Sequence, residues 1–152
     1  MASRTASIAE AVKVSLNTAA ADPETFGATF TAQRVYVPAF DLNKTRGLQV
    51  QVYAANDEQS ALTRAAKKHE IRIEVWIQKP LSAAANPLTE AANAEIDALT
   101  ELAERVADHF RGSFTAGPGR WVRTDLPAPD TGTLLQQRLF TALVVLFFLV
   151  HS

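Results

Sequence analysis

The chain has 152 residues, a length that suits one domain built around a single hydrophobic core. Its formal net charge of −1 gives no overall field that would attract nucleic acid or an anionic membrane, so we expect neither as a partner. The absence of cysteine excludes disulfide bonds and thiolate metal sites and is typical of a reducing compartment. Residues 1–7 lack an apolar signal core, which predicts that the protein is not secreted by that route.

The first segment predicts a short amphipathic helix followed by a strand. Ser7 and Glu10 have the spacing of a capping box, and Pro23 ends the helix because proline disfavours helical backbone in the residue before it. Residues 29–37 predict a strand, and Pro38 places that strand at a sheet edge or ends it. The core face of the helix carries apolar residues at helical spacing: Ile8, Val12, Leu16 and Ala19.

Two alternating stretches, residues 48–54 and 69–77, predict an antiparallel hairpin. The polar residues 56–66 between them predict a loop that exceeds the usual length of about 2–5 residues for a hairpin connection. Such a loop either carries a contact function or is a tolerated surface excursion, and the sequence leaves both interpretations open. The expected core faces are Leu48, Val50, Val52 and Ala54 on one strand, and Ile71, Ile73, Val75 and Ile77 on the other.

Residues 88–110 predict the longest helix, with one apolar stripe and an acidic back. The acidic back is either a solvated face or a surface for a basic partner. Residues 113–133 predict a loop with a short strand at Trp121 and Val122. Two interpretations are open for Arg120, Trp121 and Arg123: they stack on a nucleobase, or they anchor this loop to the core. The stripe consists of Leu88, Ala92, Ile96, Leu99, Leu102, Val106 and Phe110, and the acidic back of Glu90, Asp97, Glu101, Glu104 and Asp108.

Residues 134–150 predict a closing strand that is apolar on both faces from residue 139 onward. A strand with one face in water alternates apolar and polar residues, and this one does not, so both of its faces need cover. We expect the chain's own helices on one face and consider a neighbouring copy for the other. The apolar run is too short for a membrane-spanning helix of about 20 residues. The candidate subunit-interface residues are Phe140, Val144, Leu146 and Phe148.

The sequence shows no residue pattern typical of a catalytic or metal site. His69, His109 and His151 lack the spacing of metal ligands, and His109 is better explained by its place near a helix C-terminus, where a positive charge is stabilised. No serine lies in a Gly-x-Ser-x-Gly pattern. We therefore expect no catalytic residues, no metal and no cofactor. The predicted fold class is α+β: residues 1–152 form one domain with a small antiparallel or mixed β-sheet, a hairpin and two helices packed on one face.

In layout the chain resembles the phage tail terminator proteins, in particular the lambda-type siphophage terminators. The resemblance lies in the hairpin segments 48–54 and 70–79, the helix 95–110 and the closing strand 137–150, in that order. It covers most of the chain and contains no short diagnostic motif. Residues 117–129 have no counterpart in that layout, and head-completion and neck proteins of tailed phages share similar small α+β layouts.

The resemblance implies a non-enzymatic structural protein of the virion that is made in the host cytoplasm. Family members form a ring, commonly a hexamer, at the head–tail junction, where the ring stops growth of the tail tube and joins the tail to the head. The implied partners are further copies of the chain, the tail-tube protein and a neck or connector protein. A small dimeric adaptor is the alternative from another class. The residues of the loop that would meet the tube or a neighbour are Asp57, Glu58, Arg64, Lys67 and Lys68.

Overall fold

A computed structural model describes residues 3–36, 47–61, 67–81, 90–111, 115–128 and 139–151. The prediction of a mixed helix and strand content is confirmed, and within these ranges there are three helices and a six-stranded mixed sheet. The short helix α2 and the short strand β4 are absent from the sequence-based prediction. The elements in chain order are α1 Arg4–Ala20, α2 Pro23–Phe26, β1 Ala32–Val35, β2 Gln49–Ala61, β3 Lys67–Pro80, α3 Glu90–His109, β4 Thr115–Ala116, β5 Gly119–Asp125 and β6 Leu139–His151.

The strands lie in the order β1-β2-β3-β6-β5-β4. β1 pairs with β2 in parallel, and the other pairs are antiparallel. The closing strand β6 therefore lies inside the sheet, between β3 and β5. It pairs with β3 along its whole length, from Leu139 opposite Pro80 to His151 opposite Lys68. The predicted residues 134–138 lie outside the described part of the chain.

The β2–β3 hairpin is longer than predicted. β2 continues through Ala61, which pairs with Lys67, and a bulge interrupts the register between Ala54 and Asn56. The prediction of a loop at 56–66 is therefore wrong for residues 56–61, and residues 62–66 lie outside the described ranges. Asparagine, aspartate and glutamate disfavour strands in isolation, but β-propensity yields to cross-strand pairing when the partner strand is itself held on its other side, as β3 is by β6.

The hydrophobic core joins buried apolar side chains of α1 and α3 to those of the sheet strands. The predicted core faces of the hairpin are confirmed, since Ile71, Ile73, Val75 and Ile77 are fully buried with Val50 and Val52, and Leu48 and Ala54 pack against them. The apolar stripe of α3 is confirmed over the described residues. The residues that α1 buries are Ile8, Ala9, Val12, Leu16 and Ala20.

The helix α1 begins at Arg4, three residues before the predicted capping box. Ser3 is the N-cap, and its hydroxyl oxygen accepts a hydrogen bond from the Ala6 N–H at 3.1 Å. The sheet is strongly curled, so α1 contacts both of the outermost strands of the sheet, β1 and β4. Asn17 ties α1 to β1, because its side-chain amide donates to the Ala32 carbonyl at 3.1 Å and accepts from the Ala32 N–H at 2.6 Å.

A tight hairpin joins β4 and β5 where the sequence predicts only a loop. Ala116 pairs with Gly119, so Gly117 and Pro118 form a two-residue turn. Gly117 has φ +57°, a backbone angle that glycine adopts without strain, and glycine at the first central position is typical of a type II′ turn. The predicted short strand at Trp121 and Val122 is thus part of a seven-residue strand.

Candidate subunit-contact surfaces

One face of β6 is core. The four candidate interface residues Phe140, Val144, Leu146 and Phe148 are fully buried among the side chains of α1, α3 and β3. Their assignment as a contact between subunits is therefore corrected: they stabilise the single chain. The sequence shows that the two faces of β6 are equally apolar, and it cannot show which face the helices cover.

The other face of β6 is covered largely by polar side chains of the neighbouring strands. The Arg123 guanidinium lies 3.7 Å from the centroid of the Phe147 ring, and its Nη1 donates to Glu70 at 3.1 Å. Gln78 donates to the Thr141 hydroxyl at 3.0 Å. Long charged side chains cover apolar surface with their stems and planar heads, and Phe147 is only 8% exposed. In the single chain Thr141, Val145 and Phe147 are thus nearly buried on this face, while Leu143 and Leu149 are partly exposed. Cover of this face by a neighbouring copy stays a prediction.

The hairpin residues predicted to meet a tube or a neighbour lie on two strands. Asp57 and Glu58 are in β2, Lys67 and Lys68 are in β3, and Arg64 lies outside the described residues. Glu58 and Lys67 are exposed, and Lys68 is half-buried. Asp57 points inward instead, so it belongs to a different structural feature from the other three.

Asp57 links the hairpin to the start of α1. One carboxylate oxygen, Oδ2, accepts a hydrogen bond from Arg4 Nε at 2.9 Å, and the other, Oδ1, lies 3.1 Å from His69 Nδ1. Burial of the carboxylate opposes its charge, but hydrogen bonds from Arg4 and His69 outweigh that effect and hold the pKa of Asp57 below its usual value. The side chain of His69 is only 3% exposed. This cluster fixes where the hairpin leaves the body of the sheet, and sequence reasoning missed it because its members lie up to 65 positions apart.

His109 lies against an aromatic cluster. Its Nε2 is 2.9 Å from the Ser15 hydroxyl, and its ring meets Phe26 and Phe110 edge-on. Burial lowers the pKa of His109. The prediction of a positive charge stabilised by the helix C-terminus is therefore wrong, since desolvation favours the neutral ring.

The predicted acidic back of α3 is exposed, as a solvated face requires. Glu101 pairs with Arg105 at 2.7 Å and Asp108 pairs with Arg111 at 2.8 Å. Both pairs are surface pairs of the kind that contributes about 0–1 kcal/mol. The carboxylates at positions 90, 97, 101, 104 and 108 all lie on this exposed face.

A groove of about 560 Å³ runs between the C-terminal half of α3 and β5. Trp121 is half-buried, packs against the core and donates from its indole N–H to Thr124 at 2.8 Å, so of its two interpretations the anchor is supported. Arg123 is engaged with Glu70 and Phe147 instead of lying free beside that indole. The groove is lined by Glu104, Ala107, Asp108, Arg111, Trp121, Val122, Arg123, Thr124 and Leu126.

The large apolar side chains that are most exposed lie in two separate places. Val122 and Leu126, at 42% and 40% exposed, line the groove beside β5. Val14 and Tyr36, at 52% and 79%, lie on α1 and just after β1. In the described ranges these four are the exposed large hydrophobics, so exposed apolar surface is concentrated near the two ends of the strand order.

Metal ligands and membrane helices were sought in the same ranges. No group of three or more histidine, aspartate or glutamate side chains is placed to hold a metal ion in the described part of the chain. None of the helices described there combines the length and the apolar character that crossing a membrane demands.

No protein-family model matches this chain, and no curated protein matches it significantly in sequence.

Proposed function

We propose that this protein is a structural virion protein that forms a homo-oligomeric ring, of six copies, at the head–tail junction of a tailed phage. There it stops growth of the tail tube and joins the tail to the head. It acts without catalysis or a cofactor, and its partners are further copies of itself, the tail-tube protein and a neck or connector protein. It works in the virion after synthesis in the host cytoplasm.

The observation that carries this proposal is the order and placement of the elements around one mixed sheet. An N-terminal helix, a long hairpin, a long acidic helix and a closing strand occur in the order of the tail terminator layout. The hairpin strands of 13 and 14 residues are long for a chain of this size. The finer architecture, with both long helices on one face of the sheet, fits the same layout and leaves the opposite face and the hairpin for contacts with other subunits.

A head-completion or neck protein is the second candidate, because the same placement of elements suits that role. A small dimeric adaptor that self-associates through the closing strand is the candidate from another class; the pairing of β6 with β3 and β5 leaves only a face of that strand for such a contact.

Two measurements test the proposal. Native mass spectrometry of the purified chain is expected to show a closed oligomer of about six copies of the 16.5 kDa subunit. The oligomer, added to polymerising tail-tube protein encoded by the neighbouring genes, is expected to cap the tubes and narrow their length distribution in electron micrographs. A chain that stays monomeric at every concentration, and leaves tube length unchanged, refutes the proposal; oligomers that bind a portal or connector but not tubes favour the neck role.

A further inference from the structure

We infer that copies of this chain join edge to edge: the outer edge of β5 in one copy pairs with the outer edge of β1 in the next copy. The groove between α3 and β5 then receives the Tyr36 side chain of that next copy. The inference rests on the proposed self-assembly and specifies which surfaces carry it.

The outer edge of β5 is open over most of its length. β4 covers it only at Gly119 and Arg120, and no other described strand pairs with its outer side. An open edge presents unpaired N–H and C=O groups that accept another strand. Side chains beside this edge are apolar and exposed, as at Val122 and Leu126. Backbone and side chains together therefore offer a site for strand addition.

The groove beside this edge has room for an aromatic side chain. Its volume of about 560 Å³ lies within the range of roughly 300–1,000 Å³ found for small-ligand pockets. Ala107, Trp121, Val122 and Leu126 give it an apolar lining. Tyrosine suits such a groove because its ring is apolar and its hydroxyl can remain at the polar rim.

The outer edge of β1 provides the matching surface. The side chain of Asn17 satisfies the outward N–H and C=O of Ala32, so the start of this edge is closed. Backbone groups in a strand alternate in direction, so the next outward pair in β1 belongs to Arg34, and Tyr36 follows directly after the strand. No described strand pairs with this side of β1, and Tyr36 is 79% exposed. The open part of the edge thus adjoins Tyr36, the most exposed aromatic ring among the described residues.

The charges beside the two edges are complementary. On the β1 side, Lys13 and Arg34 share the single carboxylate of Glu10, which leaves one positive charge in excess. On the β5 side, Glu104 and Asp125 form no ion pair with any described residue and outnumber the unpaired Arg120, which leaves one negative charge in excess. Opposite charges across an interface fix its register and disfavour wrong partners.

An interface of this kind is heterologous, because it joins two different surfaces. The growing assembly keeps one unused β1 edge at one end and one unused β5 edge at the other, so addition continues until rotation closes a ring. An isologous contact would instead join like surfaces and stop at a dimer.

Two exposed-edge variants test the inference in the full-length chain. One carries V122K and L126K, the other carries Y36K, and the matched control A94K places the same charge on an exposed position of α3. Exposed substitutions of this type change stability little. Both edge variants are expected to shift from the oligomer to the 16.5 kDa monomer in sedimentation velocity, while A94K assembles as the wild type does.

Mixing the two edge variants gives the decisive result. The Y36K chain keeps an intact β5 edge and the V122K/L126K chain keeps an intact β1 edge, so an equimolar mixture is expected to form a species of twice the monomer mass. Edge variants that assemble like the wild type overturn the inference but leave the ring proposal standing, as does a mixture that stays monomeric when the wild type assembles. A wild-type chain that never assembles overturns both.

Discussion

The strand β5 approaches α1 closely at Gly119, so the one methyl group that Gly119→Ala adds tests how this strand packs against the helix. A Cβ atom built there lies 2.8 Å from Ile8 Cδ1, 3.1 Å from Phe148 Cβ and 3.2 Å from Ile8 Cγ1. Both neighbours are fully buried. The 2.8 Å contact forces the buried Ile8 side chain to shift, and the contact with Phe148 Cβ requires a further adjustment of a few tenths of an ångström, so Gly119→Ala is expected to destabilise the protein.

The size of the effect follows from two opposing contributions. Overpacking a buried site costs roughly 1–3 kcal/mol. Replacing glycine by alanine also stiffens the unfolded chain, which stabilises a protein by about 0.4–1 kcal/mol where the native backbone permits alanine. Gly47→Ala isolates this second contribution, because Gly47 is exposed and, apart from its chain neighbours, no atom of the described residues lies within 4 Å of its added Cβ. We expect Gly119→Ala to be less stable than Gly47→Ala by about 1–3 kcal/mol.

Urea unfolding followed by far-UV circular dichroism measures both free energies of unfolding, and Ile8→Val completes the test. That substitution removes Ile8 Cδ1, the atom nearest the added methyl. The double variant is therefore expected to be more stable than the two single effects predict, by at least about 0.5 kcal/mol. Equal stability of Gly119→Ala and Gly47→Ala, or strict additivity with Ile8→Val, would show that α1 does not pack against β5 as described.

Two further predictions concern burial and pH. Phe148→Asp is expected to abolish the cooperative unfolding transition and the folded far-UV spectrum, because an unpaired carboxylate cannot be accommodated in a fully buried site; a folded monomer would show that this face of β6 contacts another subunit after all. The pKa of His109 is lowered in the folded state, so between that pKa and its unfolded value of about 6.5 the unfolded chain binds more protons and stability rises with pH. We expect the free energy of unfolding to fall as the pH is lowered below about 6.5, and the slope to flatten in His109→Gln; an unchanged slope in that variant would assign the pH dependence to other groups.

Periodicity predicts the parts of this fold that have one clear hydrophobic face. The alternating residues 69–77 and the apolar stripe of α3 bury the side chains that the sequence indicates. Where several local signals compete, the sequence misleads. The polar residues 56–61 form a strand because β3 pairs with them, and the Gly-Pro-Gly segment at 117–119 turns tightly between two strands instead of lying in a long loop.

The candidate contact surfaces were harder to predict than the fold. Both faces of β6 are apolar, so only the structure shows that Phe148 faces the helices and Phe147 faces Arg123. Open strand edges leave no pattern in a single sequence, since they depend on which strands pair. The one available signal was Pro38, which predicted that the first strand either lies at a sheet edge or ends there, and β1 does lie at one end of the sheet.

The central place of β6 has a consequence for biosynthesis. A ribosome produces this strand after every other described helix and strand, yet β3 and β5 both need it as a partner. Until residues 139–151 emerge from the ribosome, the β2–β3 hairpin and the helices α1 and α3 lack the strand that packs against them in the core. The sheet therefore completes only after residues 139–151 have emerged, and chaperones that bind exposed apolar segments can act on the nascent chain until then.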